Sequence, residues 1–212
     1  MRSLLALGPL ATCGLACGAP TPAPPAEPTT KSAGPWQTPE RFRSETIPFP
    51  LDFAPAVAHR GFEELRFAPG FFDPAAPGYW SYAFVWRTED DAALDAAALG
   101  AELTTYFRGL IDAVDEARAI ADRDAIVVTA AAEPGSGGAG RLALAAHVFD
   151  AFKTKQPLDL VGWAERIPCG TGALWRFVLA PAASSLRPRL DGLARAAACD
   201  QVVSPPAQRP ER

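Results

Sequence analysis

The sequence predicts an α+β fold: a mainly antiparallel sheet in the order two strands, helix, four-strand meander, C-terminal helix, with both helices on one face. Three observations carry that expectation. Trp80, Tyr82, Phe84 and Trp86 alternate with Ser81, Ala83 and Val85, so one strand sets a large aromatic face against a small-residue face. Leu99, Leu103, Phe107, Leu110, Ile111 and Val114 recur at helical spacing, the stripe of an amphipathic helix. Between Ile126 and Ala180 four apolar runs are separated by short turn-rich stretches, the pattern of a meander.

Taken in order, residues 41–55 (RFRSETIPFPLDFAP) hold too many prolines for a helix and are expected to pack as an extended segment along the domain. Phe62 to Phe67 (FEELRF) is expected to be a short strand and Trp80 to Trp86 a firmer one. The first helix should run from a capping Asp95 to Arg118 and cover the aromatic face of the strand before it. Strands follow at Ile126 to Ala131, Arg141 to Phe149, Leu158 to Ile167 and Ala173 to Ala180, with EPGSGGAG and FKTKQP as turns. The last helix should begin near Ser185 or Pro188, align Leu186, Leu190, Leu193 and Ala197, and end at Cys199.

A chain of 212 residues suits one domain plus a tail. At 49% hydrophobic and 21% charged residues it should fold rather than stay disordered. The formal net charge of -4, with basic residues scattered, argues against nucleic acid as a partner. Residues 1–17 read as a signal peptide ending in a lipidation box: Arg2 is followed by an apolar stretch from Leu4 to Ala11, far shorter than the roughly 20 residues that span a bilayer. Leu10-Ala11-Thr12-Cys13 and Gly14-Leu15-Ala16-Cys17 both approximate the box that precedes a lipid-bearing cysteine. Cys17 is favoured, because cleavage before Cys13 leaves an apolar stretch barely long enough to be recognised. The alternative is an ordinary signal cut near Ala19 and a soluble secreted protein. Residues 18–35 form a Pro/Ala/Thr-rich tether with polyproline II character, residues 36–203 a single globular domain, and residues 204–212 a disordered tail. The expected address is extracytoplasmic and bacterial (periplasm, outer membrane or cell surface), with the membrane reached through the lipid alone.

The phrases GFEELRFAPGFFDP, YWSYAFVW, YFRGL and FDAFKTKQPLDL, with the closing strand, helix and cysteine, resemble a group of exported bacterial lipoproteins of no assigned activity, over about Thr46 to Cys199. The resemblance implies a location and a fold but no reaction.

Beyond the leader the chain has two cysteines, Cys169 and Cys199. In an oxidising compartment they are expected to form a disulfide across a loop of about 30 residues. The rival reading makes Cys169 a nucleophile served by His147. Gly135 to Gly140 satisfies GxGxxG, yet the residues after it alternate at period two, so a hairpin loop fits better than a dinucleotide site. Ala58-His59-Arg60-Gly61 matches the opening of a phosphodiesterase motif, without the PENT segment or the barrel length that such enzymes need. Glu63 and Glu64 are adjacent and face opposite sides of a strand. Glu89, Asp90 and Asp91 lack the spacing of a calcium loop. No catalytic residue, cofactor or metal is assigned. The aromatic loop before the second strand, with Phe71, Phe72, Tyr79 and Trp80, is the candidate binding surface. The expected function is a non-catalytic binding or envelope-associated module with an unknown protein or glycan partner. The alternative is a small extracytoplasmic hydrolase using His59, Glu63, Glu64 or His147.

Overall fold

Seven strands form one fully antiparallel sheet in the computed structural model, which describes residues 35–90, 93–115, 122–133 and 140–202. The strands are β1 (Arg43–Pro48), β2 (Gly61–Phe67), β3 (Tyr82–Thr88), β4 (Val127–Ala132), β5 (Arg141–Phe149), β6 (Pro157–Cys169) and β7 (Gly172–Ala180). Their spatial order is β1-β2-β3-β7-β6-β5-β4. The chain lays down three strands from one edge inward, crosses through helix α1 (Ala96–Val114) to the far edge, and returns strand by strand until β7 pairs with β3. A second helix, α2 (Arg187–Ala196), follows β7.

This corrects the expected α+β arrangement. The fold is β-rich, with three strands before α1 instead of two, and the helices lie on opposite faces of the sheet. Prolines concealed β1, since Pro48 ends the strand and Pro50 follows two residues later. Opposite faces follow from the alternation within β3 and β7. Tyr82, Phe84 and Trp86 stand over Leu179, Phe177 and Trp175 on the α1 face, with the Phe84 and Phe177 rings stacked 4.4 Å apart. The other side of the same strands carries Ala83, Val85, Leu174 and Val178, a smoother surface on which α2 places Leu190 and Ala194.

Helix α1 starts where Asp95 accepts a hydrogen bond from the Ala98 amide at 2.8 Å. It packs along β4 and reaches β3 through Tyr106, whose ring lies against Phe84 and Trp86 with centroids 6.3 Å and 6.1 Å away. The Val128 amide donates to Thr104 Oγ1 at 2.9 Å, and Arg108 Nε donates to the Ile126 carbonyl at 3.2 Å, so helix side chains bond to the outer edge of the sheet. A Cβ on Gly100 would lie 2.9 Å from the Val128 carbonyl oxygen, so the close approach requires glycine. Seven strands span about 30 Å and one helix covers about 10 Å. The rest of that face is therefore covered by residues 49–57 and 68–81.

Cys169 and Cys199 are paired, with Cα atoms 5.7 Å apart, tying the end of β6 to the segment after α2. No helix among the described residues is long and apolar enough to cross a membrane. Cys13, Cys17, Arg118, residues 135–139 of the glycine-rich loop, residues 18–34 of the tether and residues 204–212 lie outside the described residues.

Candidate functional site

Where loops replace helix over the β1–β3 half of the sheet, the covering is incomplete, and a cavity of about 250 Å³ remains. Its floor is sheet: Ile47 of β1, Leu65 and Phe67 of β2, and Tyr82 of β3. One wall is the C-terminal half of α1, through Tyr106, Leu110 and Val114. Phe53 closes one side, and a Cβ at Gly109 would lie 2.1 Å from the Phe53 carbonyl oxygen, so that segment lies directly on the helix. Phe71, Phe72 and Trp80 close the other side with Phe152 from the β5–β6 turn. Arg43 and Glu45, exposed side chains of the edge strand, stand at the rim. The lining is thus overwhelmingly apolar and aromatic, with a few polar groups at its margin, the make-up of a small-molecule pocket.

Three of the four residues in the candidate binding surface reach this cavity. Phe71 and Trp80 are buried in its wall and Phe72 is half-buried there. Trp80 lies outside β3 with φ of 45°, so it does not continue the strand alternation that includes Tyr82. Tyr79 takes a different role. Its hydroxyl donates to Asp150 Oδ2 at 2.5 Å, while Asp150 also accepts from the amides of Phe152, Lys153 and Thr154. Burial of Asp150 opposes its ionisation, but those hydrogen bonds hold its pKa down to about 2. Burial and the Asp150 carboxylate push Tyr79 up to about 12. The pair fixes the turn that carries Phe152.

On the same face of β2 as Leu65 and Phe67 lies Glu63, fully buried. Its Oε1 accepts from Trp86 Nε1 at 3.0 Å, and its Oε2 accepts from the Tyr106 hydroxyl at 3.4 Å. Burial raises its pKa to about 8 in spite of those two donors, so the carboxyl is mostly protonated at neutral pH. Burial also raises Tyr82 and Tyr106 well above the ordinary phenol value.

His59 sits at the other end of α1 from Val114, with Nε2 2.8 Å from Glu102 Oε2 and Nδ1 3.6 Å from Asp90 Oδ1. The Glu102 hydrogen bond raises its pKa against the opposing effect of burial, and Asp90 adds to the rise. The ring contacts Phe49 and Trp86, with centroids 5.6 Å and 5.8 Å away. A histidine held between two carboxylates pins α1 to the start of β2. No hydroxyl or thiol accompanies it among the hydrogen bonds and ion pairs of the described residues.

Of the residues of the alternative hydrolase, His59 and Glu63 both contact Trp86, while His147 and Glu64 lie apart from them. His147 lies on the opposite face of β5 from Leu144, Ala146 and Val148, exposed, with Nδ1 2.6 Å from Asp159. Glu64 faces away from Glu63 and pairs with Arg66 at 2.5 Å, whose guanidinium stacks over Trp36 at 4.2 Å. Cys169, the proposed nucleophile, is held in the disulfide.

Sequence reasoning missed Arg43, Glu45 and Ile47, because β1 was not read as a strand. The signal was present: Arg43, Glu45 and Ile47 alternate with Ser44, Thr46 and Pro48, and pairing with β2 sets them in one row on the cavity side of the edge strand. Tyr106, Phe53 and Phe152 carry no local signal, since each reaches the cavity only through tertiary packing. No protein-family model, curated protein or solved structure matches this chain.

Proposed function

We propose that this chain is an exported, lipid-anchored binding module whose folded domain takes up a small apolar ligand in the aromatic cavity between β1–β3 and α1. The observation that carries the reading is the cavity itself: about 250 Å³ lined by aromatic and aliphatic side chains from β1, β2, β3, α1 and three connecting segments. Aromatic faces left without neighbours forgo dispersion contacts, which an apolar guest restores. The leader, the lipidation box at Cys17 and the proline-rich tether support export and anchoring, and a cysteine pair fits an oxidising compartment.

Naphthalene tests the binding reading. It should bind the full-length protein with one-to-one saturation and quench tryptophan emission, because Trp80 lines the site. Leu110→Trp, which fills the cavity from the helix side, should abolish uptake while near-ultraviolet circular dichroism and melting temperature show a folded domain. Unsaturable binding, or binding unchanged in a folded Leu110→Trp variant, refutes the reading. Mass spectrometry of the mature N-terminus tests the anchor, and an unmodified Ala19 or Pro20 at that end refutes it.

A further inference from the structure

A second depression adjoins the rim of the cavity, and its charge points to a chemical class of ligand. The cleft is about 340 Å³, runs over Pro69 and Gly70, and shares Arg43, Phe71 and Phe72 with the cavity. Arg41, Arg43 and Lys153 surround it, all exposed. Against three cations it holds one carboxylate, Asp73, whose Oδ1 accepts a hydrogen bond from the Ala75 amide at 3.0 Å. Glu45 stands on the cavity side of Arg43. In a chain of net charge -4 this is a local reversal of sign. Among the described residues none of the three cations forms an ion pair, and Arg43 instead stands 5.4 Å from the centre of the Phe72 ring.

We infer, resting on the apolar-ligand reading above, that the ligand is a single-chain anionic amphiphile whose tail fills the aromatic cavity and whose carboxylate or phosphate head lies in the Arg41–Arg43–Lys153 cleft. The two depressions adjoin at Arg43, Phe71 and Phe72, which puts these residues at the junction of tail and head. Tail length follows from volume. A cavity of about 150 Å³ holds the six carbons of benzene, so 250 Å³ holds about ten by proportion. Head recognition follows from the guanidinium groups, which bind carboxylate and phosphate oxygens through paired N–H donors.

Decanoate and decanol separate the two parts of the site in titrations of the full-length protein followed by tryptophan emission. Decanoate should saturate at one per chain and bind at least ten-fold tighter than decanol. Arg41→Gln combined with Lys153→Gln, at two cations that border the cleft and not the cavity, should erase that ten-fold advantage and leave decanol binding unchanged. Equal binding of the two compounds overturns the anionic head while the cavity reading stands. Binding of neither overturns both. The source of the head is resolved by vesicles of phosphatidylglycerol and of phosphatidylcholine. Saturable decanoate binding with no preference for phosphatidylglycerol vesicles supports a free amphiphile. Sedimentation with phosphatidylglycerol vesicles and no decanoate binding overturns the proposal in favour of surface charge alone.

Discussion

Trp86 Nε1 donates to Glu63 Oε1 at 3.0 Å, a hydrogen bond between two side chains with no solvent exposure in adjacent strands of the sheet. Glu63 thereby satisfies the indole while remaining a carboxyl in an apolar setting, and its pKa stands at about 8 against an ordinary 4.5. The folded state therefore holds its proton longer than the unfolded state does. The stabilisation is full below the ordinary value and is lost as pH rises through about 8, on the order of 5 kcal/mol across the whole interval. Glu63→Gln keeps an acceptor for Trp86 and removes the titration. Urea denaturation across this range should show the decline in the parent and its absence in the variant; a parent of constant stability would refute the assignment.

Asp150 behaves with the opposite sign. Its folded pKa of about 2 lies below the ordinary 3.8, so its contribution is present above 3.8 and lost as pH falls through about 2. Asp150→Ala leaves the Tyr79 hydroxyl and three amides without their acceptor and should cost about 1–3 kcal/mol. Because the same turn carries Phe152, naphthalene uptake should weaken along with the denaturation midpoint. Stability lost with uptake intact would show that the turn does not shape the cavity.

Thr104 shields an edge of the sheet. Thr104→Val preserves volume but removes the acceptor of the Val128 amide, at a cost of about 1–2 kcal/mol. The freed edge of β4 is a template for another strand, so the variant should self-associate where the parent does not. Sedimentation velocity over a concentration series reads this directly. An equally monodisperse variant would assign protection of the edge to Arg108 and the helix backbone.

The Cys169–Cys199 pair closes a loop with a sequence separation of 30 residues. On the chain-entropy estimate its loss costs roughly 3.5 kcal/mol, or about 10 °C of melting temperature for a domain of this size. Calorimetry of the double serine variant, or of the reduced protein, measures it. An unchanged melting temperature would mean that the denatured chain is not constrained by the bridge.

How much was legible depended on how local the cause was. Period-two alternation at Tyr82 to Trp86 and Leu142 to Val148, the stripe from Leu99 to Val114 and the cap at Asp95 are properties of neighbouring residues, and these segments lie in β3, β5 and α1. β1 was hidden because Pro48 and Pro50 punctuate it, although an edge strand tolerates proline where no ladder donor is needed. The placement of the helices was beyond local reading: both are amphipathic, and an amphipathic helix fits either face of a sheet that is apolar on both.

By itself the sequence determined the alternating strands, the helical stripes, a cysteine pair of suitable separation and the aromatic loop from Phe71 to Trp80, because each is set by spacing along the chain. The tertiary structure decided that the sheet has seven strands, that its helices part to opposite faces, and that α1 packs against β4. That last choice leaves much of the β1–β3 half of the sheet to loops, with α1 reaching it through Tyr106, Leu110 and Val114. The cavity is what one helix about 10 Å wide leaves uncovered on a sheet about 30 Å across, and no stretch of sequence specifies a gap between elements that meet only when the chain has folded.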